Sequence, residues 1–399
     1  MKAHTKNRAL IIGFSLAVVS PIYVSHAESL GEALVSGTAS ANVRYRIEDV
    51  DQANLSEDSF ASTLRTRLGY KTKAYKGVSF FVGIDDVTSI GNANYLTPSS
   101  GPVGTPIGPK NAGHPVIADP LESDLNELYV SYTGEKTTAT IGRQRIIRAN
   151  SRFVGNVGWR QHEQTYEGIS IKSDIIEDFS IFAAYLTKRH TITFTDIDQD
   201  TTLFDVEYKG FDSAVLSAYY YDIQVDNTTT QWQNFGARLT GKLNKFGYIV
   251  EYAQQDNQAG ETPHYTLLEG TYGFAGVALT AGMETLGNDK TTSFATPLAT
   301  LHKFNGWADV FLATPTQGLQ DTYVKVAGKL ADINLQAVYH TFDSDTQSID
   351  FGNELNVSAT KKINDHLSLG AKYADYSAGD ARSNKVSTDK LWLWADASF

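Results

Sequence analysis

The chain of 399 residues contains no cysteine. That excludes a disulfide-stapled scaffold, a thiolate metal site and a cysteine nucleophile. It has no G-x-S-x-G, HExxH or P-loop sequence, and its nine histidines lie scattered, without paired metal-ligand spacing. A surface hydrolase would need a Ser/His pair at adjacent strand positions, and none is found. The expectation is a protein that is not an enzyme, with no cofactor and no metal. Basic residues are the minority, 34 Lys and Arg against 45 Asp and Glu, a formal charge of −11. Nucleic acid is therefore not an expected partner. Past the N-terminus no apolar run approaches the ~20 residues of a transmembrane helix. Any membrane crossing must be made by strands.

Both ends point to export. Lys2, Lys6 and Arg8 precede an apolar stretch from Ala9 to Val19, and Ser25-His26-Ala27 is a small-x-small sequence. This reads as a secretory signal peptide over 1–27, with Glu28 opening the mature chain. Removing its three basic residues takes the formal charge from −11 to −14. At the other end Leu391, Leu393, Ala395, Ala397 and Phe399 alternate with Lys390, Asp396 and Ser398. Successive strand side chains point to opposite faces, so the last segment is a two-faced strand ending on an aromatic residue. A terminal strand with a terminal Phe is similar to the closing strand and assembly signal of Gram-negative outer-membrane barrels.

The same alternation recurs from about Thr38 to Phe399 without a break in composition. Val43, Tyr45 and Ile47 alternate with Arg44, Arg46 and Glu48; Leu64, Leu68 and Tyr70 with Arg65, Arg67 and Lys71; Phe235 and Leu239 with Asn234, Arg238 and Lys242. Short connections such as Gly134-Glu135-Lys136 alternate with long ones at roughly 49–61, 86–123, 144–164, 187–201, 222–232, 253–264, 285–320, 341–351 and 377–388. The pattern predicts an all-β fold: a transmembrane antiparallel up-and-down β-barrel of about 18 strands, with 16 still open. Its short turns would be periplasmic and its long loops extracellular. A short periplasmic segment over 28–37 would precede a single barrel domain over 38–399. Tyr132, Tyr185, Tyr208, Tyr252, Tyr272, Tyr339 and Tyr373 fall near strand ends, as interfacial girdles require.

Two stretches carry a family resemblance. One runs from Gly142-Arg143-Gln144-Arg145 through Asn150-Ser151-Arg152-Phe153 to Gly158-Trp159-Arg160-Gln161. The other is Leu301-His302-Lys303-Phe304-Asn305-Gly306-Trp307-Ala308-Asp309 with Thr314-Pro315 and Gly318-Leu319-Gln320-Asp321 after it. Both resemble the alginate-export family of Gram-negative outer-membrane porins. The resemblance implies an 18-stranded monomeric barrel with a charged lumen partly closed by loops. It supports a channel better than it supports alginate as the solute.

Arg44, Arg46, Arg65 and Arg67 share the polar parity of neighbouring strands and form an inward basic ladder. Arg145, Arg148, Arg152 and Arg160 add to it from the 144–164 connection. Planar guanidinium groups bind carboxylates, and rings of Arg or Lys favour anions in pores. Glu127, Arg143, Arg238, Lys242, Trp392 and Trp394 complete the expected pore lining. The other reading of these arginines is an electrostatic network holding loop to wall, opposite Glu127, Glu163, Glu207, Glu251 and Glu269. Arg143 resists its register: beside outward Ala139 and Ile141 it should face lipid, so either the strand has left the hydrocarbon zone there or Gly142 is a bulge that turns it inward. His302, Lys303, Trp307 and Asp309 lie in the 285–320 connection, read first as an extracellular flap and second as a loop folded into the pore. Asp196, Asp198 and Asp200 read as a solvated acidic loop tip, with a loose divalent-cation site as the alternative.

The expected function is passive diffusion of small hydrophilic solutes, favouring anions such as acidic sugars or carboxylates. A dedicated exporter or importer of an acidic poly- or oligosaccharide is the alternative within transport. An adhesin or receptor acting through its outer loops is the alternative outside it. Barrels of sixteen or more strands leave an aqueous channel, which favours transport. The expected partners are outer-membrane lipid and lipopolysaccharide, the barrel-assembly machinery through Phe399, and the solutes themselves.

Overall fold

A computed structural model describes residues 27–91, 93–98 and 111–399. The expected leader lies outside the described residues apart from Ala27. A six-residue helix, α1 (Leu30–Val35), is capped by Ser29, whose hydroxyl accepts from the Glu32 amide. It packs at the turn after the second strand, where Lys73 pairs with Glu32 at 2.7 Å.

Twenty strands follow: β1 (Thr38–Gln52), β2 (Ser59–Lys71), β3 (Val78–Ser89), β4 (Ser123–Thr133), β5 (Thr137–Gln144), β6 (Thr165–Ser173), β7 (Phe179–His190), β8 (Asp196–Phe211), β9 (Ala214–Val225), β10 (Gln231–Leu243), β11 (Phe246–Asn257), β12 (His264–Phe274), β13 (Val277–Leu286), β14 (Asn288–Asp289), β15 (Thr292–Ser293), β16 (Leu319–Leu330), β17 (Ile333–Asp343), β18 (Asp350–Lys362), β19 (Leu367–Ala378) and β20 (Thr388–Ser398). Eighteen form one sheet of antiparallel neighbours, and β14 pairs only with β15. β1 pairs β20 from Asn42↔Ser398 to Gln52↔Thr388, so the sheet closes on itself. The terminal residue extends that seam. Phe399 and Ala41 exchange two backbone hydrogen bonds at 2.8 and 3.1 Å.

The outer face is apolar. Leu68, Val130, Ile141, Phe204, Leu268, Val324, Leu355 and Leu393 are all exposed, at strand positions that alternate with buried or polar ones. Two aromatic belts bound this band. Tyr132 and Tyr272 lie at the short-turn end, and Tyr185, Tyr252, Tyr339 and Tyr373 lie toward the long-loop end, all with exposed rings. This is how a barrel meets the two membrane interfaces.

The strict alternation of short turns and longer connections holds, but most outer connections are shorter than the sequence suggests. β7 and β8 are joined by 191–195, and β9 and β10 by 226–230. Above the apolar band the strands carry polar residues on both faces, so their upper ends read as loop. Asp196, Asp198 and Asp200 are therefore part of β8. Asp198 pairs with Lys188 at 3.3 Å and Asp196 contacts His190 at 2.5 Å. Among the described residues, 145–164 and 287–318 are long connections that turn into the barrel, as does the described part of 90–122.

Gly142 and Gly168 face each other across β5 and β6, with φ of +124° and +157°. A Cβ at Gly142 would run into the Leu128 carbonyl, and one at Gly168 into that of Tyr185. Register continues through Gly142 without a shift. Gly142→Ala should lower the urea midpoint of the refolded barrel, at a cost of roughly 1–3 kcal/mol. An unchanged midpoint would show that the backbone relaxes there.

Candidate solute path

The inward parity of β1 and β2 brings Arg44 directly opposite Arg65 and Asn42 opposite Arg67. β20 lies on the other side of β1, with Trp394 opposite Arg46 and Asp396 opposite Arg44. Like-charged neighbours in a low-dielectric lumen are costly unless carboxylates meet them. The inward loops and the wall supply those carboxylates. Arg46 donates to Asp119 of the first inward loop and lies 3.4 Å from Glu48. Arg67 forks onto Asp85, 2.6 Å from Nε to Oδ1, and reaches Glu163 at 2.8 Å. Arg145 donates to Glu163 at 2.7 Å and lies 3.4 Å from Glu127. Arg148 pairs with Asp205 at 3.0 Å, Arg152 with Glu284 at 2.8 Å and Arg238 with Glu251 at 2.6 Å. Arg160 bonds Glu48 at 2.8 Å and Asp309 at 2.9 Å.

Arg44 differs. It donates to the Gln161 side chain at 3.0 Å and to the carbonyls of Gly158 and Arg160. Arg65 meets Asn42 and the Gln161 carbonyl, with Asp396 only at 4.0 Å. Most of the basic ladder is thus engaged in fastening loops to the wall.

Arg143 does not face the lumen. Gln144 points inward, where its amide oxygen accepts from Ser170 at 2.6 Å, and Arg143 takes the opposite face beside exposed Ile141. There it donates to the Leu125 carbonyl at 2.7 Å and pairs with Glu167 at 3.2 Å; Glu167 in turn contacts His190 at 2.8 Å. The arginine has left the hydrocarbon zone, the first of the two outcomes its register allowed. Lys242 is exposed at the periplasmic end of β10.

The 287–318 loop is folded into the lumen rather than lying outside as a flap. It is laced to 145–164 by Gly155 N to Leu298 O at 2.8 Å, Thr300 N to Ser151 O at 3.0 Å and Val157 N to the Thr300 hydroxyl at 3.1 Å. Its tip is pinned to β18. The amides of Trp307 and Ala308 both donate to Glu354, the latter at 2.9 Å. Gly306, at φ +86°, leaves room for that carboxylate, which a Cβ would strike.

Next to this pin sits a closed aromatic and ionic cluster. His302 stacks on Trp159, centroids 4.9 Å apart and planes 4° from parallel. Trp392 and Trp394 meet Trp159 edge-on at 5.8 and 5.4 Å. The Lys372 ammonium lies 4.3 Å from the Trp159 centroid and 3.8 Å from that of Trp307, and donates to His302 Nε2 at 2.7 Å. That bond makes Nε2 the acceptor, so Nδ1 carries the proton and donates to Asp309 at 2.6 Å. Asp309 also accepts from Lys390 at 2.8 Å. Burial, only partly countered by Asp309, pushes the imidazole down to about 3. Burial would raise Asp309, but His302, Lys390 and Arg160 outweigh it and hold the carboxyl well below its ordinary range.

Lys303 alone of the four loop candidates is exposed. Its ammonium donates to the Asn150 carbonyl at 2.8 Å. Burial, then the nearby Arg238 and Lys325, lower its pKa, with Glu269 opposing. Trp159, Lys372, Lys390, Glu48, Asp119 and Glu354 are parts of this arrangement that sequence reasoning did not single out. Glu48, Lys372 and Lys390 share the inward parity of residues that were, and that was the available signal. Glu354 alternates with Leu355 and Val357 and carried the same signal; Asp119, in a loop, gave none.

The chain matches the alginate export family over residues 38–283. No protein of curated function matches it by sequence. Its fold is similar to solved outer-membrane channels. Pseudomonas aeruginosa OccK8 (OprE) aligns at 14% identity with a TM-score of 0.67, covering 91% of this chain and 98% of the other. Acinetobacter baumannii OccAB2 aligns at 14% identity and a TM-score of 0.69, covering 92% and 99%. Pseudomonas aeruginosa OpdK, solved with vanillate, aligns at 11% identity and a TM-score of 0.69, covering 91% and 98%.

The His302 shift has a definite sign. Unfolded, the imidazole titrates near its ordinary 6.5; folded, near 3. Between these values the unfolded chain binds more protons, so this contribution to loop seating is full above pH 6.5 and is lost as pH falls toward 3. Tryptophan emission should report a loosening of the loops across that window, and His302→Asn should flatten the dependence. An identical profile in the variant would discard the assignment.

Proposed function

We propose, for a chain that belongs to the alginate export family, a channel of the Gram-negative outer membrane for passive diffusion of small hydrophilic solutes that favours anions. The observation that carries this is the 18-stranded closed barrel, apolar outside and charged inside. A barrel of that strand number is too wide for wall side chains alone to fill. The loops 145–164 and 287–318 and the described part of 90–122 narrow it.

The anion preference rests on cations not consumed by the loop seat. Lys303 is exposed on the inner loop and Lys325 approaches it from β16, while Arg238 on β10 is nearby but already paired with Glu251. Fixed positive charge at a narrowing favours anions. The class of solute fitting this chemistry is a small carboxylate or acidic sugar, held at its carboxyl group by ammonium donors. The reading includes a monomeric barrel surrounded by outer-membrane lipid and lipopolysaccharide, its Phe399-terminated strand recognised by the barrel-assembly machinery.

Reversal potentials of the purified protein in a KCl gradient across a planar bilayer test this. Chloride should be preferred over potassium, and Lys303→Glu together with Lys325→Glu should reduce that preference by about severalfold. Cation preference in the unaltered protein would remove the anion reading. Failure to swell liposomes in any small sugar or sugar acid would remove the channel itself.

A further inference from the structure

The outer end of the barrel holds a groove that the charged seat does not use. It lies between the hairpin joining β9 to β10, the hairpin joining β11 to β12, and the small β14–β15 hairpin with Thr316 beside it. Its volume is about 450 Å³, within the range of small-molecule sites. Trp232 forms part of its wall. This residue shares the inward parity of Asn234 and Arg238, so the groove opens on the lumen side of β10.

The chemistry of the wall is unusual for this chain. No charged side chain lines the groove; its polar side chains are all hydroxyls or carboxamides. Each of these can both donate and accept a hydrogen bond. A sugar hydroxyl has the same dual capacity, and the C–H face of a pyranose ring is the apolar surface that an indole covers well. The groups are also held in place from behind. Glu261 accepts from the Thr291 and Thr292 hydroxyls at 2.8 and 2.6 Å. Asp222 accepts from Gln231 at 2.8 Å, and Asn257 donates to Thr292 at 2.8 Å. Fixing polar groups before the ligand arrives lowers the cost of binding. The side chains holding the wall from behind include the carboxylates of Glu261 and Asp222, and no cation is among the lining residues. That lining suits an uncharged polyol better than an anion.

We propose that this groove binds a neutral polyhydroxylated solute, a hexose unit of a short uncharged saccharide, stacked on Trp232. The site lies apart from the cations of the solute path and does not depend on the ion preference of the channel.

Calorimetric titration of the full-length protein in detergent with maltose, cellobiose and lactose tests the proposal, with glucuronate as the charged comparison. At least one neutral disaccharide should bind, and Trp232→Ala should weaken it by about tenfold or more. Thr229→Val with Gln258→Ala, both at exposed hairpin positions, should also weaken it severalfold, and decides the matter if Trp232→Ala fails to assemble. KCl conductance of the same preparations should not change, which separates failure of the groove from failure of the channel. Absence of binding by all three disaccharides overturns the site, as does unchanged affinity in the variants. Tighter binding of glucuronate than of any neutral disaccharide overturns the assigned class.

Discussion

The pairing of β1 with β20 is the constraint on which the molecule depends. In hydrocarbon an unpaired backbone amide or carbonyl costs several kcal/mol, so a strand edge cannot be left open to lipid. Once the sheet closes, every strand has one face toward lipid and one toward the lumen. The outward residues must be apolar, and the polar half of each alternating pair is necessarily collected inside. The charged interior is thus a geometric result of closure and period-two alternation.

A collected interior charge then needs partners. Arg44 and Arg65 stand directly opposite each other, flanked by Arg46 and Arg67. Left alone in a narrow lumen, such a group would be strongly destabilised. The described parts of the long loops meet Arg46, Arg67 and Arg160 with Asp119, Glu163 and Asp309, and the wall adds Glu48 and Asp85. Arg44 and Arg65 are held instead by Gln161 and other neutral oxygens. What remains to act on a passing solute is the smaller set of charges outside these pairs, with Lys303 foremost.

The wall was legible in the sequence because it follows a local rule. Val43-Arg44-Tyr45-Arg46 and Leu391-Trp392-Leu393-Trp394 each declare which residues share a face, and Trp394 and Trp392 pair with Arg46 and Glu48 across the β1–β20 seam. Strand ends were less legible. Above the lipid band both faces of a strand may be polar at no cost, and residues such as those opening β8 then resemble loop. The seat of the loops was illegible for a different reason. Arg46 with Asp119, Arg160 with Glu48, and Trp307 with Glu354 are far apart in the chain. Nothing in the local sequence of 90–122 or 287–318 states whether it lies over the barrel or within it. The parity of Glu48 with Arg44 and Arg46 was a usable hint that each arginine strand carries its own acid.

The anchors of the inner loops are unevenly distributed along the chain. The 145–164 loop is made before the barrel is half complete, yet Trp159 and Arg160 meet their partners on β1, on β19 and β20, and on the late 287–318 loop. Lys372, Lys390 and Trp392 all belong to the final two strands. Without the C-terminal hairpin the inner loops would keep their contacts to β1, β2 and β18 but lose the Lys372, Lys390 and Trp392 side of the cluster. Closure of the seam and completion of the cage around Trp159 thus draw on the same two strands.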